Sequence, residues 1–152
     1  MRAVVQRVLQ SDVSVNGQVT GEISKGLNVL LGVVDGDTEK EAEVLAAKIA
    51  KLRIFEDEQE KMNLCVTDVD GEILVISQFT LCADCKKGNR PSFTSSAPPE
   101  QAKRLYEYFS RCLSENGVKK VANGIFAADM RVNIVNDGPV TIVLDTDIWC
   151  KK

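Results

Sequence analysis

The sequence contains no histidine. This absence excludes Ser-His-Asp and Cys-His catalytic arrangements and every His-ligated metal site, because each of them needs an imidazole. An enzyme of this composition must work with hydroxyls, amides, carboxylates, amines, backbone dipoles or groups on its substrate.

Cysteine is scarce and scattered, with 5 residues in the chain. An odd number without a secretion signal indicates reduced thiols. Cys82 and Cys85 have the C-x-x-C spacing of redox and zinc motifs, but they form a single pair. Structural zinc needs about four N/S ligands. We therefore expect no metal and no cofactor, and a thiol-redox role for this pair is an alternative hypothesis.

Long apolar runs are also absent. No stretch reaches the length of a membrane span, and the N-terminus lacks the apolar core and cleavage site of a signal peptide. We expect a cytoplasmic protein with no membrane contact. The net charge of −3 argues against broad nucleic-acid binding but permits a local basic patch. The length of 152 residues predicts one domain over residues 1–152.

The pattern of apolar residues predicts seven or eight strands and two helices. Asn16-Gly17 lies between two alternating segments, which is a strong hairpin signal. Thr38 and Glu41 have capping-box spacing before the first helical stripe, and the second helix begins at Pro98-Pro99. Hairpin connections dominate, so we predict an α+β domain with a mostly antiparallel, barrel-like sheet and two helices.

The segment from Asn136 to Thr141 interrupts two apolar runs near the C-terminus. Asn136-Asp137-Gly138 is a combination of residues typical of turns, and Pro139 has no N–H to donate to a neighbouring strand. The default interpretation is a hairpin turn. The alternative is a rigid backbone device, with a cis Gly138-Pro139 bond, that faces a ligand or a partner.

Polar groups follow a buried strand at Ser77-Gln78-Phe79-Thr80. Hydroxyls, an amide and the backbone N–H groups at such a strand end suit a developing oxyanion, although capping of the strand would explain the same residues. A long loop over residues 82–97 follows. Its cations Lys86, Lys87 and Arg90 suit phosphate binding, or simply form a solvated surface.

Together these segments resemble the D-aminoacyl-tRNA deacylase family. The resemblance covers residues 1 to about 146 in order. It is carried by Met1 to Val8, Leu52 to Asp57, Lys61-Met62-Asn63, Ser77 to Leu81, Lys87 to Phe93, Ala97-Pro98-Pro99, Ala128-Asp129-Met130 and Asn136 to Thr141.

The resemblance implies hydrolysis of the ester between a D-amino acid, or glycine mischarged on tRNA-Ala, and the 3′ end of tRNA, with rejection of L-aminoacyl-tRNA. It implies a homodimer in which a cis Gly138-Pro139 pair enters the partner's site. Arg7 would brace that pair, and Phe126 and Met130 would help bind the substrate. Ser77, Gln78, Phe79 and Thr80 would form the catalytic floor, and Lys86, Lys87 and Arg90 would contact tRNA.

For the chemistry we expect assistance from the 2′-OH of the terminal ribose, with backbone N–H groups near Phe79 and Thr80 stabilising the oxyanion. A nucleophilic Thr80 is the alternative, although no base for it is evident. A non-catalytic RNA-binding dimer is a second functional hypothesis. Two departures from the family stand out: Ala127 replaces a frequent glycine, and Cys82 and Cys85 replace an aromatic and a small hydroxyl residue.

Overall fold

Residues 1–150 are described by a computed structural model in which one long strand, β1 (Arg2–Val15), has neighbours along both edges. β3 (Gly26–Gly32) pairs with its first half and β2 (Gln18–Ile23) with its second half, while β8 (Arg131–Asp145) runs along the other edge. All three pairings are antiparallel. The β1–β2 turn is Asn16-Gly17, both with positive φ, as the sequence predicted.

Two further strands extend the sheet in parallel. β6 (Glu72–Ser77) pairs with β3, and β7 (Val121–Asn123) pairs with β6. A separate antiparallel pair is formed by β4 (Phe55–Glu56) and β5 (Met62–Leu64). The predicted α+β fold with two helices and a barrel-like sheet is confirmed, and the sheet is mixed because these two pairings are parallel.

Both helices cover the core formed by the sheet. α1 (Glu39–Lys51) follows its N-cap residue Thr38, whose side chain and that of Glu41 form the predicted capping box. α2 (Pro99–Glu115) buries an apolar stripe that includes Leu105 and Phe109. Neither helix, nor any other in residues 1–150, is long and apolar enough to cross a membrane.

The expected hairpin turn at residues 136–141 is wrong, because β8 continues unbroken past this segment. Gln6 lies opposite Thr141 and Val8 opposite Asn136, so residues 137–140 bulge out opposite Arg7 alone. The Gly138-Pro139 peptide bond is cis. The bulge can leave the hydrogen-bonded ladder because the Arg7 side chain supplies a donor to the Asp137 carbonyl.

Candidate functional site

A cavity of about 760 Å³ opens where β6 ends. Ser77, Gln78 and Phe79 form its floor, and Phe126 and Met130 lie on another side. The rest of the wall comes from the residue after β3, from β6, from the end of the 82–97 loop, from the start of α2 and from the segment before and into β8: Val33, Ile76, Phe93, Thr94, Ser96, Ala97, Pro98, Pro99, Ala102, Ala127, Ala128 and Val132. Five of the predicted site residues are therefore brought together by the fold.

The lining of this cavity is uncharged. Among the described residues that form it, none is an acid, a base, a cysteine or a tyrosine. Its polar groups are the hydroxyls of Ser77, Thr94 and Ser96, the Gln78 amide and backbone atoms. The described lining therefore offers dipoles, and no ionisable side chain, to a bound molecule.

The backbone after β6 leaves two N–H groups without a partner. A 3₁₀ turn (Phe79–Cys82) begins directly after Gln78, and the first N–H groups of a helical turn have no acceptor within it. The Gln78 N–H donates to the Leu31 carbonyl, and the Leu81 N–H donates to the Gln78 carbonyl. Within residues 1–150 no acceptor is recorded for the N–H groups of Phe79 and Thr80. Phe79, at the cavity floor, and the adjacent Thr80 thus each have a backbone donor with no recorded partner.

Thr80 lies at the rim. It is exposed and is not one of the described residues that line the cavity. The Gln78 Nε2 donates to Thr80 Oγ1 at 2.6 Å, so the threonine oxygen already acts as an acceptor. In the described part of the chain no carboxylate or amine contacts Thr80 Oγ1, and the structure offers no base that would activate it as a nucleophile.

Arg7 holds the bulge in β8. Its side chain is nearly buried, and its Nε donates to the Asp137 carbonyl at 3.1 Å while Nη1 donates to the Ile54 carbonyl at 2.8 Å. The same Nε lies 3.4 Å from the Asp137 carboxylate. A Cβ added to Gly138, whose φ is +126°, would meet Arg7 Nη2 at 3.1 Å and Val140 Cγ2 at 3.0 Å. Arg7 therefore contacts the residue that directly precedes Gly138-Pro139.

Gly138 and Pro139 stand apart from the cavity in their own chain. Both are exposed, and neither they nor Arg7 belong to the described lining. The fold thus separates the predicted site into a cavity and an outward-facing bulge.

Ala127 has a φ of +64°, in the left-handed region that disfavours residues with a Cβ. The frequent glycine of the resembled family would adopt this conformation without strain. Ala127 is therefore a strained position in the cavity wall.

The basic loop carries Lys86, Lys87 and Arg90 on an exposed tip, away from the described lining of the cavity. Near its base, the buried Cys82 thiol contacts the Val33 carbonyl, and burial raises the pKa of this thiol. Cys85 is exposed, and all five cysteines are free. No cluster that would hold a metal occurs among residues 1–150.

Sequence reasoning gave no role to Phe93, which lines the cavity and meets Phe79 edge-on with ring centroids 5.2 Å apart. Both rings are partly exposed, at 37% and 54%. The sequence signal for a binding role was that Phe93 is an aromatic residue in an irregular loop. Aromatic rings that serve only packing are usually buried in regular elements.

Comparison with known proteins gives consistent matches over nearly the whole chain. A family model described as D-Tyr-tRNA(Tyr) deacylase matches residues 4–145. Relatives named D-aminoacyl-tRNA deacylase include one from Geobacter sulfurreducens, 56% identical over 146 residues that cover 96% of this chain and 95% of the relative. Another from Natranaerobius thermophilus is 57% identical over 147 residues, covering 97% and 98%.

Two solved structures share the fold. One, titled c-Myc DNA Unwinding Element Binding Protein, has a TM-score of 0.90 at 45% identity and covers 95% of this chain and 98% of its own. The other is titled as a probable eukaryotic D-amino acid tRNA deacylase, with a TM-score of 0.80 at 17% identity over 94% and 97%. The second likeness, at so low an identity, concerns the fold alone.

Proposed function

Since the chain belongs to the D-Tyr-tRNA(Tyr) deacylase family, we propose that it hydrolyses D-aminoacyl-tRNA to a free D-amino acid and tRNA and leaves L-aminoacyl-tRNA intact. The observation that carries the proposal is the uncharged cavity with Phe79 at its floor, where the N–H groups of Phe79 and of the adjacent Thr80 have no recorded partner. Two adjacent donors of this kind suit the oxyanion of an ester under attack. Glycine on tRNA-Ala is included as a substrate.

In the proposed reaction, water attacks the ester carbonyl and the bond to the ribose oxygen breaks. The negative charge that develops on the carbonyl oxygen is met by the N–H groups of Phe79 and Thr80. Since no described residue of the lining is a base, the 2′-OH of the terminal ribose positions and activates the water. The proton from the water ends on the leaving ribose oxygen. The Gln78–Thr80 hydrogen bond keeps the turn in place, and Ser77 provides a hydroxyl at the floor.

Selection against L-amino acids is assigned to Gly138-Pro139 from a partner subunit in a homodimer. The support is that these residues are exposed, braced by the nearly buried Arg7, and outside the described lining of the cavity in their own chain. Backbone carbonyls from the bulge would accept hydrogen bonds from the substrate's α-ammonium and occupy the space of an L side chain. Glycine has no side chain and passes the same filter.

The rest of the cavity is assigned to the 3′ end of tRNA. Phe126 and Met130 give an apolar wall for the terminal adenosine, and stacking of a base on an aromatic ring is favourable for any base. The exposed Lys86, Lys87 and Arg90 contact phosphates farther along the RNA.

The test is release of amino acid from D-Tyr-tRNA and L-Tyr-tRNA by the purified protein. We expect rapid hydrolysis of the first and background hydrolysis of the second. Equal rates on both would contradict chiral selection. Binding of tRNA without cleavage at any enzyme concentration would instead support a non-catalytic RNA-binding protein.

A further inference from the structure

A second cavity, of about 620 Å³, adjoins the first, and Phe126 contributes to both walls. One face of α2 forms one side, and the chain from β7 to Ile125 forms the other. Its remaining lining residues are mainly polar: Lys103, Tyr106, Glu107, Ser110, Arg111, Ser114, Val121, Asn123, Gly124 and Ile125. A ligand that reaches past Phe126 from the first cavity can enter this one.

The amide of Asn123 is held in one orientation. The Tyr106 hydroxyl donates to the Val75 carbonyl at 3.0 Å, so it can only accept from Asn123 Nδ2, which lies 3.0 Å away. The same Nδ2 donates to Ser110 Oγ at 2.7 Å. Both amide protons are therefore used within the protein. Asn123 Oδ1 is left as a fixed acceptor for which residues 1–150 provide no recorded donor.

Two cations on this wall lack an acidic partner. Within the described residues Lys103 and Arg111 make no ion pair, and Arg111 lies over the Tyr108 ring at 5.4 Å. By contrast Arg104, on the same helix, pairs with Glu39 at 2.9 Å. Glu107 lies between the two cations, so the described lining of this cavity carries one net positive charge in a protein whose net charge is −3.

We propose that this cavity binds the nucleotide that precedes the terminal adenosine of tRNA. The assignment rests on the proposed function, which places that adenosine at Phe126. Transfer RNAs end in CCA, so the preceding base is cytosine, whose exocyclic amino group is a donor. That group hydrogen-bonds to Asn123 Oδ1, while Lys103 and Arg111 contact the flanking phosphates. A uracil presents a carbonyl oxygen at the same place, which faces the amide oxygen without a proton between them.

The test uses two RNA hairpins that carry no amino acid. Each has a fluorophore at the 5′ end and an unpaired 3′ tail, which is ACCA in one and ACUA in the other. Binding is measured by fluorescence anisotropy over a range of salt concentrations. We expect the ACUA hairpin to bind about 5- to 10-fold more weakly to the unaltered protein, as for loss of one specific base contact. This comparison needs no change to the protein, so it does not depend on the folding of a variant.

Variants on α2 test the phosphate contacts. Lys103→Ala and Arg111→Ala should each weaken binding of both hairpins about 3- to 5-fold and lower the slope of log affinity against log salt by about 0.7. Arg104→Ala removes the same charge from the same helix and should leave binding unchanged. Equal binding of the two hairpins, or equal behaviour of the three variants, would overturn the assignment.

The result of the hairpin-binding test can be distinguished from the result of the deacylation test. If D-Tyr-tRNA is not hydrolysed while the preference for the ACCA tail persists, the deacylase proposal fails and the nucleotide site stands. If D-Tyr-tRNA is hydrolysed and the preference is absent, the reverse holds.

Discussion

The cavity floor at the end of β6 and the bulge at residues 137–140 are held by different kinds of contact. The floor is fixed by bonds near in sequence, such as that from Gln78 to Thr80, and by its strand neighbour Leu31. The bulge is fixed by Arg7, which lies 130 residues away in the sequence. The floor lines a cavity of its own chain, whereas the bulge faces outward. One chain thus lines a cavity with the first region and exposes the backbone of the second.

The largest effect is expected from Phe79→Pro, which removes one N–H group from the floor. Proline is tolerated at the first position of a helical turn, so the 3₁₀ turn should persist. Hydrolysis of D-Tyr-tRNA in single-turnover measurements should fall about 100- to 1,000-fold, as for loss of an oxyanion donor. Phe79→Ala keeps the N–H and loses only the ring. An equal loss in both variants would assign the effect to the ring.

The second largest loss of activity is expected from Gly138→Ala, which alters the bulge. The new methyl group would press on Arg7 and Val140 in a backbone conformation with φ of +126°. Misplacement of the bulge should reduce hydrolysis of D-Tyr-tRNA, or its preference over L-Tyr-tRNA, about 100-fold. Gly88→Ala is the matched control, since Gly88 has a φ of +67° with nothing within 4 Å of the added atom. A Gly138→Ala protein that fails to fold would show that the pair is mainly structural.

Mixed dimers sharpen the comparison between the two regions. If the bulge serves the partner's cavity, a dimer of one Phe79→Pro chain and one Gly138→Ala chain has one intact site. Random assembly of equal amounts should then restore about one quarter of normal activity, because half of the dimers are mixed. Activity no higher than that of the single variants would mean that both regions act within one chain.

Arg7→Gln is expected to lower stability more than activity at the floor. It leaves the carbonyls of Asp137 and Ile54 without their donor at a site that is 6% exposed. The free energy of unfolding should fall by about 2–3 kcal/mol in urea denaturation. Arg53→Gln, at an exposed arginine that bonds to Asn63, should change it by less than about 0.5 kcal/mol. Similar changes in the free energy of unfolding for the two variants would contradict a role of Arg7 in holding the bulge.

The smallest effect is expected at the cavity wall. Ala127→Gly removes the strain of a residue with a Cβ in the left-handed region, which should raise the free energy of unfolding by about 1–2 kcal/mol. The greater freedom of glycine in the unfolded chain offsets part of this, by about 0.4–1 kcal/mol. A net gain of about 0.5–1 kcal/mol should appear in urea unfolding. Ala128→Gly, next to it and without a positive φ, should instead be destabilising.

Local sequence chemistry predicted those elements whose determinants lie close together. Asn16-Gly17 and the Thr38–Glu41 capping box each contain the full signal within a few residues. The course of β8 was missed because the donor that permits its bulge comes from Arg7, at the other end of the chain. Local chemistry also singled out Ser77 to Thr80 and the basic loop, whereas Arg7, Phe126 and Met130 came only from the ordered resemblance to a known family. The second cavity gave no signal, since polar residues on the outer face of α2 are normal for an amphipathic helix.

The uncharged lining of the first cavity bears on how the reaction responds to acidity. No described residue in that lining gains or loses a proton between about pH 5 and 8, the range that histidine would otherwise cover. In the proposed reaction, titration of the rate over this range is expected from the α-amino group of the substrate and from hydroxide, because the described lining contributes no titratable group. The described lining keeps a constant charge over this range, so the substrate, and not the cavity wall, is expected to set the pH profile of the rate.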